Sequence, residues 1–248
     1  MLSELAPELA ALDRRFVLVT TAVGTGAARV TLERPRSADE LISEVDFEKD
    51  ERLPYWADVW PSSTALATVV ATLSGQGRRA LELGCGLGLV TTAALRAGFD
   101  VLATDYYEDA LLFARRNGLR NVGREPETRL VDWRHFPLDA GRFDLVLASD
   151  VLYEREYASL VADAIAQSLA PGGVALVADP GRVALLAFIT ACEQHGCRTS
   201  VRSRIPWADG KAKQTITIHE IHGPESRADP ERQASPAPRG KPVSRAHK

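Results

Sequence analysis

Short apolar segments alternate with segments of helical periodicity from residue 79 onward. Short, largely apolar segments predict strands buried on both faces at residues 80–83, 101–104, 128–131, 143–148 and 174–178. Apolar positions three and four apart predict helices at residues 89–97, 108–117, 155–169 and 183–195, the third ended by the Pro-Gly-Gly of residues 171–173. Strands and helices that alternate in this way predict a parallel sheet joined by helical crossovers.

The two last strand patterns, residues 198–204 and 214–221, have no helix between them. They predict an antiparallel hairpin at one edge of the sheet, with residues 206–213 as its loop. The fold class predicted is therefore α/β: a Rossmann-like, doubly wound sheet of seven strands, mostly parallel, with an antiparallel C-terminal hairpin strand.

The chain before this sheet has a different pattern. Residues 16–20 and 29–33 predict a small β-hairpin around Gly24 and Gly26, residues 37–43 predict a helical turn, and an amphipathic helix is expected from Pro61 to Leu73. We divide the chain into an N-terminal extension with the hairpin and short helices (residues 1–53), one domain (54–222) and a tail (223–248). The tail is rich in proline and charge, which predicts disorder.

Composition excludes several classes of protein. With 45% hydrophobic residues and a net charge of −3, the chain has the apolar content of a folded core but no basic excess for binding nucleic acid. No apolar run reaches the roughly 20 residues that span a bilayer, and the acidic start is unlike a secretory signal. Three cysteines form no paired framework. We expect a cytoplasmic monomer without a metal, a membrane or a nucleic acid partner.

A glycine-rich loop follows the first strand of the sheet. Residues 81–88 read LELGCGLG, and Asp105 ends the next strand about 20 residues further on, where a carboxylate can accept both ribose hydroxyls of a nucleoside. A tight turn without a ligand is the alternative. The spacing G-x-G-x-G differs from the dinucleotide pattern, and the acid Glu82 would repel phosphate but suit a cation. These residues favour S-adenosylmethionine over NAD as the cofactor.

The same residues resemble a known family. Residues 82–88 with Asp105 are similar to the first motif and the strand-2 acid of class I (seven-β-strand) methyltransferases. Residues 54–61 (PYWADVWP) and the D-x-x-Y element at residues 150–153 resemble the family 16 protein-lysine methyltransferases. Residues 178–182 (ADPGR) are similar to the branch that methylates lysines of the electron-transfer flavoprotein β subunit. The resemblance extends over residues 54–182, about half of the chain.

The resemblance implies a role for single positions. Asp105 would hold the ribose, Tyr106 would pack against the adenine, and Glu82 would lie near the methionine ammonium group. The cofactor-binding positions implied are Trp60, Glu82, Gly84, Cys85, Gly86, Gly88, Asp105, Tyr106, Asp132, Trp133 and Ser149. Cys85 is interpreted as a small loop residue, because no basic partner adjoins it to activate a thiolate. The alternatives are that the two tryptophans are core aromatics and that Asp132 caps a turn.

The catalytic hypothesis concerns Asp150 and Tyr153. A lysine amine, with an ordinary pKa of about 10.4, arrives protonated and must lose a proton before it accepts a methyl group. Asp150 would attract and orient that ammonium group, and Tyr153 would form an aromatic wall, with further aromatic side chains at Tyr55, Trp56 and Trp60. As alternatives, Asp150 caps a helix that begins near Glu154, and Tyr153 packs onto that helix.

The most favoured function is therefore an S-adenosylmethionine-dependent N-methyltransferase acting on lysine side chains of a protein substrate. Fold and cofactor loop serve many acceptors, so a small-molecule N-methyltransferase is the alternative, and a non-catalytic module that binds S-adenosylmethionine is a third interpretation. Arg182, which follows a Pro-Gly turn signal, is a candidate contact for an acidic group on a protein substrate.

Overall fold

The computed structural model describes residues 6–41, 54–208 and 213–224. A seven-stranded sheet has the order β5-β4-β3-β6-β7-β9-β8, in which β9 and β8 are antiparallel to their neighbours and the other pairs are parallel. Its strands are β3 (Arg79–Leu83), β4 (Asp100–Asp105), β5 (Glu127–Leu130), β6 (Phe143–Ser149), β7 (Leu169–Asp179), β8 (Arg198–Ala208) and β9 (Lys213–His222). The predicted fold class is confirmed.

Six α-helices are found in the described residues: α1 (Pro7–Arg15), α2 (Pro61–Val70), α3 (Leu89–Arg96), α4 (Glu108–Val122), α5 (Tyr157–Ser168) and α6 (Leu185–Gln194). Local signals set several of their ends. Pro61 occupies the first turn of α2, where its fixed φ and missing N–H are tolerated. Glu108 and Asp109 lie in the first turn of α4, and Gly123 ends that helix in the left-handed conformation. None of these helices is long and apolar enough to span a bilayer.

Both faces of the sheet are buried along β3, β4, β6 and β7, which explains the largely apolar sequences of these strands. The prediction that residues 128–131 are buried on both faces was wrong: β5 is an edge strand, and its Leu130 is 50% exposed. On β6, Leu145 and Leu147 belong to the core under helices α2, α3 and α4, whereas Val146 and Ala148 belong to the core under α5 and α6. Because successive side chains of a strand point to opposite faces, a strand covered by helices on both sides has no face toward solvent.

Differences from the predicted elements are local. β7 follows α5 directly at Leu169, five positions before the predicted strand, and a register irregularity opposite residues 143–145 of β6 takes up the Pro-Gly-Gly segment. The predicted loop at residues 206–213 is shorter, because β8 reaches Ala208 and β9 begins at Lys213. The predicted turn at residues 37–43 is a 3-10 turn, Asp39–Leu41, and its last two residues lie outside the described ones, as does the tail after residue 224.

The N-terminal extension forms the predicted hairpin, with strands β1 (Leu18–Val23) and β2 (Val30–Pro35). Helix α1, which the pattern did not locate, precedes it and buries Leu9 and Leu12. Arg116 of α4 joins these pieces: its guanidinium pairs with Glu33 of β2 and with Asp13 of α1 at 2.9 Å. The extension is therefore held against the sheet domain by a nearly buried cation. The boundary at residue 53 lies outside the described residues and stays a prediction.

Candidate functional site

A cavity of about 470 Å³ lies at the carboxyl ends of β3, β4 and β6. Ligands of open α/β sheets bind at this edge, and the volume is in the usual range for small-molecule sites. The predicted site residues that line it are Trp60, Gly84, Cys85, Gly86, Asp105, Tyr106, Asp132, Trp133, Ser149, Asp150 and Tyr153. Residues separated by up to about 90 positions of sequence are thus brought together. The lining does not include Glu82 and Gly88.

The glycine turn forms the floor of the cavity. Gly84 and Gly86 have φ of +71° and +49°, a backbone conformation that other residues rarely adopt. A Cβ on Gly84 would lie 3.2 Å from Val151 Cγ1, and one on Gly86 would lie 3.1 Å from the Trp56 carbonyl oxygen. Side chains at these positions would therefore crowd the floor. With glycine there, a bound nucleoside can approach the backbone closely.

Gly88 has a different task. A Cβ there would lie 2.6 Å from Ala114 Cα, so this glycine lets α3 pack closely against α4. It does not reach the cavity surface, and its predicted contact with the cofactor stays a prediction.

Glu82 lies beneath the floor, with a relative exposure of 1%. It accepts a hydrogen bond from Thr91 Oγ1 of α3, and burial raises its pKa to about 8. At pH 7 most of this carboxyl group is therefore protonated. The side chain bonds to Thr91 and does not line the cavity. Its predicted place near the methionine ammonium group therefore stays a prediction.

Asp105 is fixed at the end of β4 by backbone donors of Gly86, Tyr106 and Tyr107. Its Oδ2 accepts from the Gly86 N–H at 2.9 Å and its Oδ1 accepts from the Tyr107 N–H at 3.1 Å. Burial raises its pKa. A carboxylate has about four acceptor positions, so three backbone donors leave about one of them for a further donor. A ribose hydroxyl would match this position.

Asp132 and Trp133 line the cavity after β5, the strand paired with β4. The Asp132 carboxylate accepts from the Arg134 N–H at 3.0 Å and from its guanidinium, so Asp132 does cap a turn, as well as lining the cavity. Trp133 is half-buried and meets the Tyr157 ring edge to face, with 5.4 Å between the ring centroids. Tyr106 lines the same end. Flat aromatic surfaces of this kind suit a purine.

Asp150 lies at the other end of the cavity and has an unusual backbone. Its φ of +59° is the only positive value for a non-glycine residue in the described ranges, and such strain is concentrated at functional sites. The side chain is 4% exposed; it accepts from Ser62 Oγ at 2.8 Å and from Arg182 Nε at 2.6 Å. Asp150 does not cap the next helix, since α5 begins only at Tyr157 after Glu156.

Three aromatic rings stand beside Asp150. Tyr55 contacts Trp60 and Tyr153, with centroid separations of 5.8 Å and 5.6 Å, and the Trp60 Nε1–H donates to the Tyr55 carbonyl oxygen. The Arg182 guanidinium lies 5.6 Å from the centre of the Trp60 ring. Trp56 lines the cavity but is mostly core, because its ring also packs on Phe113.

Charge in the cavity favours cations. Five carboxyl groups line it against two guanidinium groups: Asp58, Asp105, Asp132, Asp150 and Glu154 against Arg134 and Arg182. A phosphate would be repelled, and a sulfonium or ammonium group attracted. The Cys85 thiol is no competing nucleophile, since burial raises its pKa well above the ordinary value.

Sequence reasoning missed several residues of the site. Ser62 follows the helix-starting proline and gives no signal of its partner, Asp150, which is distant in sequence. Leu32, from the hairpin of the extension, and Tyr107, after the ribose acid, also line the cavity. Arg182 was a candidate contact for a substrate acid, and the structure pairs it with an acid of the chain itself.

Residues 81–177, which run from β3 to β7 and include most of this cavity, match the family model described as a methyltransferase domain. Residues 81–177 are therefore similar to a methyltransferase domain, and the fold is that of class I methyltransferases, whose methyl donor is S-adenosylmethionine. The resemblance seen in the sequence is thereby confirmed. The cavity fits this donor in volume, in its acidic lining, in the glycine floor and in the place of Asp105 at the end of β4.

Particular relatives point to different acceptors. The chain is 36% identical over 99 residues to the ubiquinone biosynthesis O-methyltransferase of Bordetella avium (strain 197N), covering 40% of this chain and 41% of that protein. It is 31% identical over 137 residues to the electron transfer flavoprotein beta subunit lysine methyltransferase of Xenopus laevis, covering 52% and 53%. The chain thus spans about half the length of the relatives it matches.

A solved structure shares the fold. The N-methyltransferase NodS from Bradyrhizobium japonicum WM9, in complex with S-adenosyl-L-homocysteine, superposes with a TM-score of 0.54 at 20% identity. The match covers 75% of this chain and 96% of that chain. At this identity the likeness concerns the fold.

Proposed function

We propose that this protein is an enzyme that methylates the side-chain nitrogen of lysine in a protein substrate. When bound, S-adenosylmethionine supplies a methyl group on a positively charged sulfur, and displacement at that carbon needs a nitrogen with a free electron pair. The chain's own residues have to bind the lysine, orient it and exclude water. The observation that carries the proposal is the buried acid Asp150 beside the aromatic wall of Tyr55, Trp60 and Tyr153.

This end of the cavity suits a long side chain with a polar tip. The rings of the aromatic wall provide apolar surface for the four methylene groups of lysine, and Asp150 provides an acceptor for its N–H groups. Tyr55 is exposed, so the aromatic wall reaches the protein surface, where a side chain of a macromolecule can enter. The lysine methyltransferase relative from Xenopus laevis, matched over about half of each chain, supports the same interpretation.

A small-molecule acceptor is the second candidate. Leu32 of the hairpin lines the cavity, so the N-terminal extension forms part of its wall. An enzyme that encloses a small acceptor needs such a cover. The relative from Bordetella avium bears the name of an enzyme of ubiquinone biosynthesis. In this interpretation Asp150 and Tyr153 would bind a small amine instead of lysine.

The deciding experiment uses the purified full chain, methyl-tritiated S-adenosylmethionine and a protein extract of its own source. We expect label in a discrete protein band and, after acid hydrolysis, in methyllysine. The control variants are Asp150→Asn, expected to lose the label, and Asp139→Asn, expected to keep it. Asp139 is an exposed acid outside the cavity that pairs with Arg129. Label found only in the low-mass fraction would support the second candidate, and binding of S-adenosylhomocysteine without any label would support a non-catalytic module.

A further inference from the structure

Arg182 is held in place at three points at the acceptor end of the cavity. Its Nε donates to Asp150 Oδ1 at 2.6 Å, and its guanidinium lies against the Trp60 ring. Its backbone N–H donates to Asp179 Oδ1 at 2.7 Å, in a turn where the Gly181 N–H donates to the same oxygen. A side chain fixed in this way contributes a positive charge at a defined place.

A lone carboxylate would be a poor partner for a lysine that must react. An opposite charge nearby stabilises the ammonium form and raises the pKa of the amine, whereas a neutral or positive environment lowers it. The ordinary lysine pKa is about 10.4, so the amine already holds its proton too tightly at neutral pH. A carboxylate whose charge is balanced by a guanidinium still orients N–H groups but does not favour the proton.

We propose that Arg182 is a positioning residue that acts through Asp150: it keeps the acceptor end of the cavity electrically neutral, so that lysine is held there as the uncharged amine. The proposal rests on the proposed function. The step it concerns is the transfer of one proton from the ammonium group to water, which leaves the electron pair on the nitrogen. No base of the chain is required.

None of the other charged and titratable groups described near Asp150 supplies the positive charge that balances its carboxylate. Asp179, fully buried in β7, has its pKa raised by burial and further by the charge of Asp150. Burial lowers the pKa of His219 on β9, so this imidazole is neutral at pH 7 and provides no cation. Arg134, the other cation on the cavity wall, pairs with Asp132 and so does not balance Asp150. The wall groups that remain at the acceptor end are acids or phenols: Asp58, Glu154, Tyr55 and Tyr153. The first two are exposed, where salt screens their charge.

The test measures how the transfer of tritiated methyl groups to a protein extract of its own source depends on pH, in wild type and in variants of Arg182. Arg182→Gln removes the charge and Arg182→Lys keeps it. We expect the half-maximal pH to rise by about half to one unit in R182Q, because the unbalanced carboxylate stabilises the ammonium form. R182K should lose rate without this shift. The control R129Q removes a surface arginine outside the cavity and should match the wild type. Calorimetry with S-adenosylhomocysteine checks that each variant is folded.

A merely structural role for Arg182 would lower the rate at every pH and leave the half-maximal pH unchanged, which would overturn the proposal. A second measurement needs no protein acceptor. We expect n-butylammonium to bind the S-adenosylhomocysteine complex of R182Q about 3- to 10-fold more tightly than that of the wild type at pH 7. Equal affinities would also overturn the proposal. Failure of the proposed function has a different signature, the absence of methyllysine in the wild-type assay.

Discussion

Ser62 and Asp150 are joined by a hydrogen bond of 2.8 Å across 88 positions of the chain. Ser62 lies in the first turn of α2, and Asp150 follows β6 with a left-handed backbone. Aspartate and asparagine tolerate this conformation better than most residues. Because the Asp150 carboxylate accepts from Ser62 of α2 on one side and from Arg182 on the other, its direction is set from two sides.

The charge of Asp150 can be removed without changing its shape. Asp150→Asn keeps the left-handed backbone and one acceptor oxygen, so we expect S-adenosylhomocysteine affinity within about 3-fold of wild type. Methyl transfer should fall by about 100-fold or more, because the acceptor loses a group that orients it. Calorimetry and label transfer measure the two quantities. Transfer at the wild-type rate would remove Asp150 from the mechanism.

Gly84 and Gly77 form a matched pair for testing the floor of the cavity. Their φ values are +71° and +70°, but a Cβ on Gly84 would crowd Val151 whereas one on Gly77 would meet nothing within 4 Å. Replacement by alanine should cost both variants about 1 kcal/mol of unfolding free energy. Only Gly84→Ala should weaken S-adenosylhomocysteine binding, by about 10-fold. Equal affinities of the two variants in calorimetry would show that the cofactor does not approach this turn.

The fold was predictable because its signals are local and repeated. Each central strand is largely apolar, since helices cover both faces, and glycines or prolines mark several element ends. Helix α1 gave no comparable signal: it buries only Leu9 and Leu12, and its place depends on Arg116, about 100 positions away. Contacts over such distances are not encoded in a local pattern.

Site residues were predictable from the sequence where they belong to a known motif. Which side chains pair with one another in the site was not predictable. Glu82 precedes the glycine turn, which suggested a place near the cofactor. Side chains of β3 alternate between the two faces of the sheet, so Glu82 lies on the same face as Ala80, toward α3. The sequence position of Glu82 alone would have predicted this direction. The ion pair of Asp150 and Arg182 could not be predicted in the same way, because it joins two loops that only the folded sheet brings together.

Arg116 tests whether the extension depends on its nearly buried cation. Its side chain is 5% exposed and is bound by Asp13, Glu33 and the Leu9 carbonyl oxygen. Arg116→Ala would leave the acid on β2 without this partner, so we expect a loss of about 2–4 kcal/mol of unfolding free energy and faster proteolysis within residues 6–41. The control is Arg120→Ala, which removes a more exposed partner of the same glutamate and should cost less than about 1 kcal/mol. Denaturant titration and limited proteolysis measure both effects.

Glu82 makes the stability of the domain depend on pH. Its pKa is about 8 in the folded chain, against an ordinary value of 4.5, because burial penalises the charged form. Between these two values the folded state holds a proton that the unfolded state has released. The free energy of unfolding therefore decreases as the pH rises through this window. Glu82→Gln stays neutral throughout, so wild type should lose stability relative to E82Q between about pH 5 and 8, by up to a few kcal/mol.

Denaturant titrations of wild type and E82Q at several pH values, without cofactor, measure this difference directly. Groups distant from Glu82 titrate equally in both proteins and cancel when the two unfolding free energies are subtracted, whereas Asp105 and Cys85 interact with Glu82 and contribute to the difference. Glu127→Gln, an exposed glutamate of β5, is the control for loss of a surface charge, and its difference from wild type should stay small. A wild-type and E82Q difference that is constant across the window would mean that Glu82 is ionised beneath the glycine turn. In that case its negative charge would be available to a cation in the cavity, as the sequence first suggested.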